Sequence, residues 1–230
     1  MVSVIIVAAG ASTRMEGINK QLEKLGETPV FVMSALKYER SERVGEIIIA
    51  APEGEVSHYE TLARSFGVGK LAAVTAGGET RFKSVKNALE KVSENAEYIA
   101  IHDGARPLIE TEDIERVIAD AEKYNAAIAA APVTDTIKKI AENGFVGETV
   151  PRTKLYAAQT PQVFKKVLYL SCLEKLGKSA ESVTDDSSIL ELCGERVKIT
   201  EIKCANPKIT RPDDLVAASA IYDKRTVNKI

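Results

Sequence analysis

Residues 2–8 read VSVIIVA, apolar at every position but one and rich in β-branched side chains. A short run of that kind predicts a strand buried on both faces. Similar runs follow at 46–51 (EIIIAA), 70–75 (KLAAVT), 97–103 (EYIAIHD) and 126–133 (AAIAAAPV). Between them, mixed stretches predict helices near 30–39, 55–65, 80–92 and 111–124. In the last of these, Ile114, Val117, Ile118 and Ala121 mark one face at helical spacing. Strands alternating with helices imply a largely parallel sheet with right-handed crossovers.

The alternation breaks at 136–152. Asn143-Gly144 signals a two-residue hairpin turn, and isolated apolar residues flank it: Ile137, Ile140, Phe145, Val146 and Val150. A two-stranded ribbon cannot bury these by itself. It is read as a β-arm that packs on a second subunit, the alternative being a hairpin lying on its own domain. Helices are expected near 162–176 and 184–193, a strand near 196–203, and a last helix after Thr210. There Thr210 and Asp213 fit a capping box and Pro212 suits the first turn. The chain, 1–230, reads as one domain carrying the arm.

Composition narrows the partners. The chain has 230 residues, net charge -2 and a sequence pI near 5.9, so no basic footprint for nucleic acid is present. No apolar run approaches about 20 residues, and the apolar start lacks a basic region, so no membrane span or signal peptide is expected and the protein is expected in the cytoplasm. Cys172, Cys193 and Cys204 form no C-x-x-C pair, and the two histidines, His58 and His102, are too few for a histidine-rich metal site.

In an open parallel sheet, ligands bind beyond the carboxyl ends of the strands. Those ends carry Ala8 to Arg14, Gly77 to Arg81, His102 to Pro107, and Pro132 to Thr136. Small residues, arginines and aspartates meeting on one edge suit a phosphate-bearing ligand with a metal ion. Ala8, Ala9 and Gly10 permit close approach to the backbone, Ser12 and Thr13 carry hydroxyls, and Arg14 and Lys20 offer cations for a phosphoryl transition state. Adjacent strand residues point to opposite faces, so His102 and Asp103 are not an acid–base couple. Asp103 is the candidate metal ligand or hydroxyl acceptor, and His102 a structural histidine. Asp185-Asp186 reads either as a second metal site or as acids favoured at a helix N-terminus.

In order and spacing, "AAGASTRM", "KQ" at 20–21, "GGETRFKSVKNAL", "HDGARPLI", "APVTDTIK", "AQTPQVF", "TDDSSILE" and "NPKITRPDDL" resemble the 2-C-methyl-D-erythritol 4-phosphate cytidylyltransferases nearly end to end. The resemblance implies a Rossmann-like nucleotidyltransferase fold, a mostly parallel sheet flanked by helices with a protruding β-arm. It implies transfer of CMP from CTP to a sugar-alcohol phosphate in isoprenoid precursor synthesis, with Mg²⁺ and a homodimer joined through the arm. By position, Arg14 and Lys20 would be catalytic. Ala8, Ala9, Gly10, Ala11, Ser12, Thr13, Gly78, Ser84, Asp103 and Gly104 would bind the nucleotide. Asp103, Arg106, Thr136, Arg152 and Lys208 would bind the acceptor, with Asp103 beside the metal.

The sequence departs from that pattern at Ser12, at Asn19 in place of a proline before the lysine, and at Gly104. Asn19 predicts a looser loop around Lys20. The nearest rival is a ribitol 5-phosphate cytidylyltransferase, which shares the loop and the arm. A nucleotide sensor without turnover is disfavoured by Arg14, Lys20, Asp103, Arg152 and Lys208 occurring together. A dinucleotide oxidoreductase is disfavoured by the first loop, which lacks G-x-G-x-x-G.

Overall fold

A computed structural model describes residues 1–10, 15 and 17–227. Its strands are β1 (Val2–Val7), β2 (Lys24–Leu25), β3 (Thr28–Pro29), β4 (Val44–Ala51), β5 (Leu71–Ala76), β6 (Tyr98–Asp103), β7 (Ala126–Pro132), β8 (Ile137–Ile140), β9 (Val146–Val150), β10 (Tyr156–Lys165) and β11 (Lys198–Glu201). Its helices are α1 (Val30–Glu39), α2 (Val56–Ser65), α3 (Arg81–Leu89), α4 (Thr111–Tyr124), α5 (Lys166–Leu176), α6 (Ser187–Leu192) and α7 (Pro212–Val227).

Seven strands form one sheet in the order β11-β7-β10-β6-β1-β4-β5. All neighbours pair in parallel except β10, which runs antiparallel to both β6 and β7. The apolar run of β1 is buried from both sides. Val2, Val4, Ile6 and Ala8 join a core with Phe31, Tyr38, Tyr59, Ile114 and Ile118 from α1, α2 and α4. Ile5 instead packs with Ile48, Ala50 and Ala88 of α3. Period-two alternation between two apolar layers is why the strand sequence shows no polar face.

Three expectations shift. The segment 162–176 is not helical throughout: residues up to Lys165 belong to β10, and α5 starts at Lys166. Pro161 accounts for the difference, since proline demotes a run as a strand candidate. Here the ladder to β7 breaks between Ala158 and Gln162, and Pro161 stands in that gap, where its missing N–H costs no ladder bond. At α7 the capping carboxylate is Asp214, not Asp213: it accepts from the Thr210 hydroxyl and the backbone N–H groups of Thr210 and Arg211. Pro212 does open the helix.

The third concerns 136–152. Among the described residues, β8 and β9 pair only with each other. Their turn is three residues long, not two: Ala141 N–H donates to Phe145 O across Glu142–Gly144, with Asn143 at φ 62° and Gly144 at φ 82°. Ile140, Phe145 and Val146 are exposed at 73%, 73% and 64%, so this chain does not cover them.

Candidate active site

The ends of β1, β5 and β6 border a cavity of about 330 Å³. Backbone bonds continue the parallel ladder into its walls: Ala8 N–H to Ala50 O, Gly77 N–H to Ala51 O, and Gly104 N–H to Val7 O. The Gly77-Gly78 turn then packs directly on α3. A Cβ at Gly77 would lie 2.2 Å from the Ala9 Cβ, and one at Gly78 would lie 2.4 Å from the Lys83 Cβ. Thr80 caps α3, its hydroxyl accepting from Lys83 N–H at 3.1 Å. Ser84 Oγ accepts from Gly78 N–H at 3.0 Å and lies 3.0 Å from Thr80 O, closing the turn onto the helix.

At the end of β6, Asp103 is 7% exposed and faces three cations. Arg81 Nε lies 3.2 Å from one carboxylate oxygen; Lys208 Nζ at 2.7 Å and Arg106 Nε at 3.6 Å approach the other. Burial works to raise the Asp103 carboxyl, but the charges of Arg81 and Lys208 outweigh it, and the group is held well below the ordinary carboxylate range. Arg106 is itself lowered by burial, and its guanidinium donates to Asn206 O at 2.8 Å. Arg81 reaches a second carboxylate, with its other terminus 2.6 Å from Asp186 Oδ2.

His102 points away from this cluster and is fully buried. Its Nε2 lies 3.2 Å from Arg106 O, and its Nδ1 lies 3.1 Å from the Thr160 hydroxyl. That hydroxyl also accepts from Asp103 N–H at 3.0 Å, so Thr160 donates to Nδ1 and Nε2–H donates to the carbonyl. Burial pushes the imidazole down to about 3. His102 is therefore a neutral structural group that fixes the backbone on either side of Asp103.

Lys20 is 9% exposed and lines the cavity with Gln21. Hydrogen bonds from Asn19 brace the turn around it. Asn19 Oδ1 accepts from Gln21 N–H at 3.1 Å, Asn19 Nδ2 donates to the Tyr59 hydroxyl at 3.3 Å, and Asn19 O accepts from Leu22 and Glu23 N–H. Hydrogen bonds from this side chain supply stiffness that a proline ring supplies covalently.

Ala9, Gly10, Lys20, Gly78, Ser84, Asp103 and Lys208 all line the one cavity. Ala8 and Gly104 are buried beneath it; a Cβ at Gly104 would lie 2.9 Å from Gln21 Oε1 and 3.2 Å from Val7 O. Arg106 stands behind Asp103. Thr136 and Arg152 are exposed and do not line the cavity, and Arg152 donates to Thr134 O. Ala11, Ser12, Thr13 and Arg14 lie outside the described residues. Among the described residues, no group of three or more His, Cys, Asp or Glu side chains gathers at Asp185-Asp186 to hold a metal. Asp185 accepts from Gln162, Ser187 and Ser188 at the start of α6, while Asp186 turns inward to Arg81.

Thr160 had no signal in the sequence beyond its place in "AQTPQVF", because its role depends on the unforeseen strand β10. Arg81 stood among the strand-end arginines, yet its bridge to Asp186 spans 105 positions and no local pattern encodes it.

A sequence model of the 2-C-methyl-D-erythritol 4-phosphate cytidylyltransferase family matches residues 2–224. An enzyme of that name from Geobacillus kaustophilus is 40% identical over 222 residues, 96% of each chain. One from Clostridium botulinum is 37% identical over 225 residues, 97% of this chain and 98% of the relative. Among solved structures, the 4-diphosphocytidyl-2C-methyl-D-erythritol synthase of Anaerococcus prevotii superposes with TM-score 0.83 at 29% identity, covering 96% of this chain and 97% of its own. The Thermus thermophilus cytidylyltransferase gives TM-score 0.79 at 28% identity, covering 96% and 98%.

Proposed function

This chain belongs to the 2-C-methyl-D-erythritol 4-phosphate cytidylyltransferase family, and from that premise we infer how its residues carry the reaction. The enzyme transfers CMP from CTP to 2-C-methyl-D-erythritol 4-phosphate, giving 4-diphosphocytidyl-2-C-methyl-D-erythritol and pyrophosphate. The observation that carries this reading is that the family pattern runs the length of the chain while Lys20, Asp103 and Lys208, far apart in sequence, border one cavity.

A phosphate oxygen of the acceptor attacks the α-phosphorus of CTP, and the bond from that phosphorus to the pyrophosphate oxygen breaks. The nucleophile is already an anion near neutral pH, so no general base is needed and a neutral, buried His102 is no obstacle. The task is to bring two anions together in line and stabilise the added charge. Lys20, with Arg14, meets that charge at the α-phosphorus. The Gly77-Gly78 turn and Ser84 form a wall of backbone and one hydroxyl suited to reading a pyrimidine edge, with Ala8 to Thr13 beside the nucleotide. Lys208 and Arg106 attract the acceptor phosphate.

A Mg²⁺ ion in such sites takes one or two carboxylates, with phosphate oxygens and water completing its shell. Asp103 is ionised and at the cavity wall, and its Oδ2 fits that use once Lys208, 2.7 Å away, turns to a phosphate. The ion would neutralise charge on the departing pyrophosphate.

Thr136 and Arg152, exposed at the base of the β8–β9 ribbon, are proposed to reach the acceptor in the cavity of a second copy. The exposed Ile140, Phe145 and Val146 support a homodimer formed through the ribbon. The reaction's nucleotide supports a cytoplasmic site of action. Pyrophosphate release tests the reading: it is expected only when CTP, Mg²⁺ and the sugar phosphate are all present. Tight CTP binding with no release under any of these combinations would make the protein a sensor instead.

A further inference from the structure

Arg81 opens α3 and holds two carboxylates at once, Asp103 at 3.2 Å and Asp186 at 2.6 Å. Asp186 is 2% exposed. Among the described residues, Arg81 is the one cation paired with it, and its other oxygen accepts from the Tyr169 hydroxyl at 3.2 Å. An aspartate buried this deeply beside an active cavity calls for a reason. Capping α6 is not that reason, because Asp185 already does so: it accepts from Ser188 N–H and the Ser187 hydroxyl, and Gln162 ties it to β10.

The cations around Asp103 differ in how firmly they are held. Lys208 has Asp103 as its carboxylate partner and a side chain 34% exposed. It can exchange that carboxylate for a phosphate. Arg81 has one carboxylate on either side. An arriving triphosphate pulls on every cation lining the cavity, and a guanidinium gripped by a second, buried carboxylate stays where it is.

We propose that Asp186 is a positioning residue for the transfer reaction. It acts through Arg81, tethering the guanidinium so that the Asp103 carboxylate keeps its orientation when Lys208 turns to the incoming phosphates. The proposal rests on the cytidylyl-transfer reading above. It divides the cluster into a fixed pair, Asp186 and Arg81, and an exchangeable cation, Lys208.

The test is a steady-state double-mutant cycle on the full-length protein, read as pyrophosphate release with CTP, Mg²⁺ and the sugar phosphate. Asp186→Asn is expected to lower kcat at least tenfold while KM for CTP stays within threefold. Arg81→Gln is expected to do the same, and the double variant to fall within threefold of Arg81→Gln alone. Asp185→Asn, which loosens the α6 cap, is the structural control: a lower thermal midpoint with kcat within threefold of wild type. Losses that multiply in the double variant, or an Asp186→Asn enzyme with wild-type kcat, overturn the proposal. If Asp186→Asn does not fold, Asp186→Glu keeps the charge and moves the carboxylate by one methylene. It is expected to lose kcat rather than CTP affinity, and wild-type kcat there is equally contrary. A wild type that releases no pyrophosphate overturns the substrate reading and takes the proposal with it; an active wild type beside an unimpaired variant overturns the proposal alone.

Discussion

Lys20 sits on a turn that its neighbour's side chain braces. Asn19 bonds forward to Gln21 N–H and sideways to Tyr59, a buried tyrosine stacked on Phe31 at 4.4 Å. The proposed catalytic turn is thus moored to α1 and α2. An interaction made mainly in the transition state shows in kcat and little in KM. Lys20→Met is expected to lower kcat by about 10²–10³, with KM for CTP changed less than about threefold. Asn19→Ala, which leaves the ammonium in place but frees its turn, should cost a smaller factor in kcat. Steady-state kinetics on the two variants checks both, and an active Lys20→Met enzyme would remove Lys20 from the chemistry.

The ribbon is the element whose sequence makes least sense in one chain. Ile140, Phe145 and Val146 stay exposed, and burying a side chain of this kind is worth roughly 1.5–3 kcal/mol. Replacing Phe145 and Val146 with serine should shift the protein from dimer to monomer in sedimentation. Should both forms sediment as monomers, the ribbon does not join subunits. If Arg152 serves the partner's cavity, mixing Arg152→Ala with Lys20→Met subunits should restore part of the activity each lacks alone, since one hybrid site carries both residues. Absence of rescue in verified heterodimers would confine the site to one chain. At this scale β1, β4, β6 and β7 were legible because each is largely apolar on both faces. β10 was not, since Pro161 falls inside it and its run blends into α5. Strand ends with small and charged residues pointed to the cavity, whereas the Asp186–Arg81 contact depends on two helix starts meeting across the sheet edge.

At the scale of the whole molecule, one buried carboxylate straps α4 to the segment after β11. Asp113, 3% exposed at the start of α4, accepts from the backbone of Lys203 and Cys204 and from Arg116. That strap leads the chain toward Lys208. Burial acts to raise the Asp113 carboxyl, but the bonds from Cys204, Lys203 and Arg116 outweigh it and lower it. A depressed carboxylate adds stability above its unfolded value, about 3.9, and loses it as pH falls through the lower folded value. Asp113→Asn should therefore cost about 1–3 kcal/mol near pH 6. Urea denaturation should show the gap to wild type narrowing below about pH 4, and a gap unchanged with pH would mean the carboxylate's charge is not what holds the strap.

The choice of acceptor bears most directly on the account as a whole. Purified enzyme given CTP and Mg²⁺ with either 2-C-methyl-D-erythritol 4-phosphate or ribitol 5-phosphate should form, by mass spectrometry, the cytidine-diphosphate product of the first and little of the second. Efficient turnover of ribitol phosphate with none of methylerythritol phosphate would contradict it.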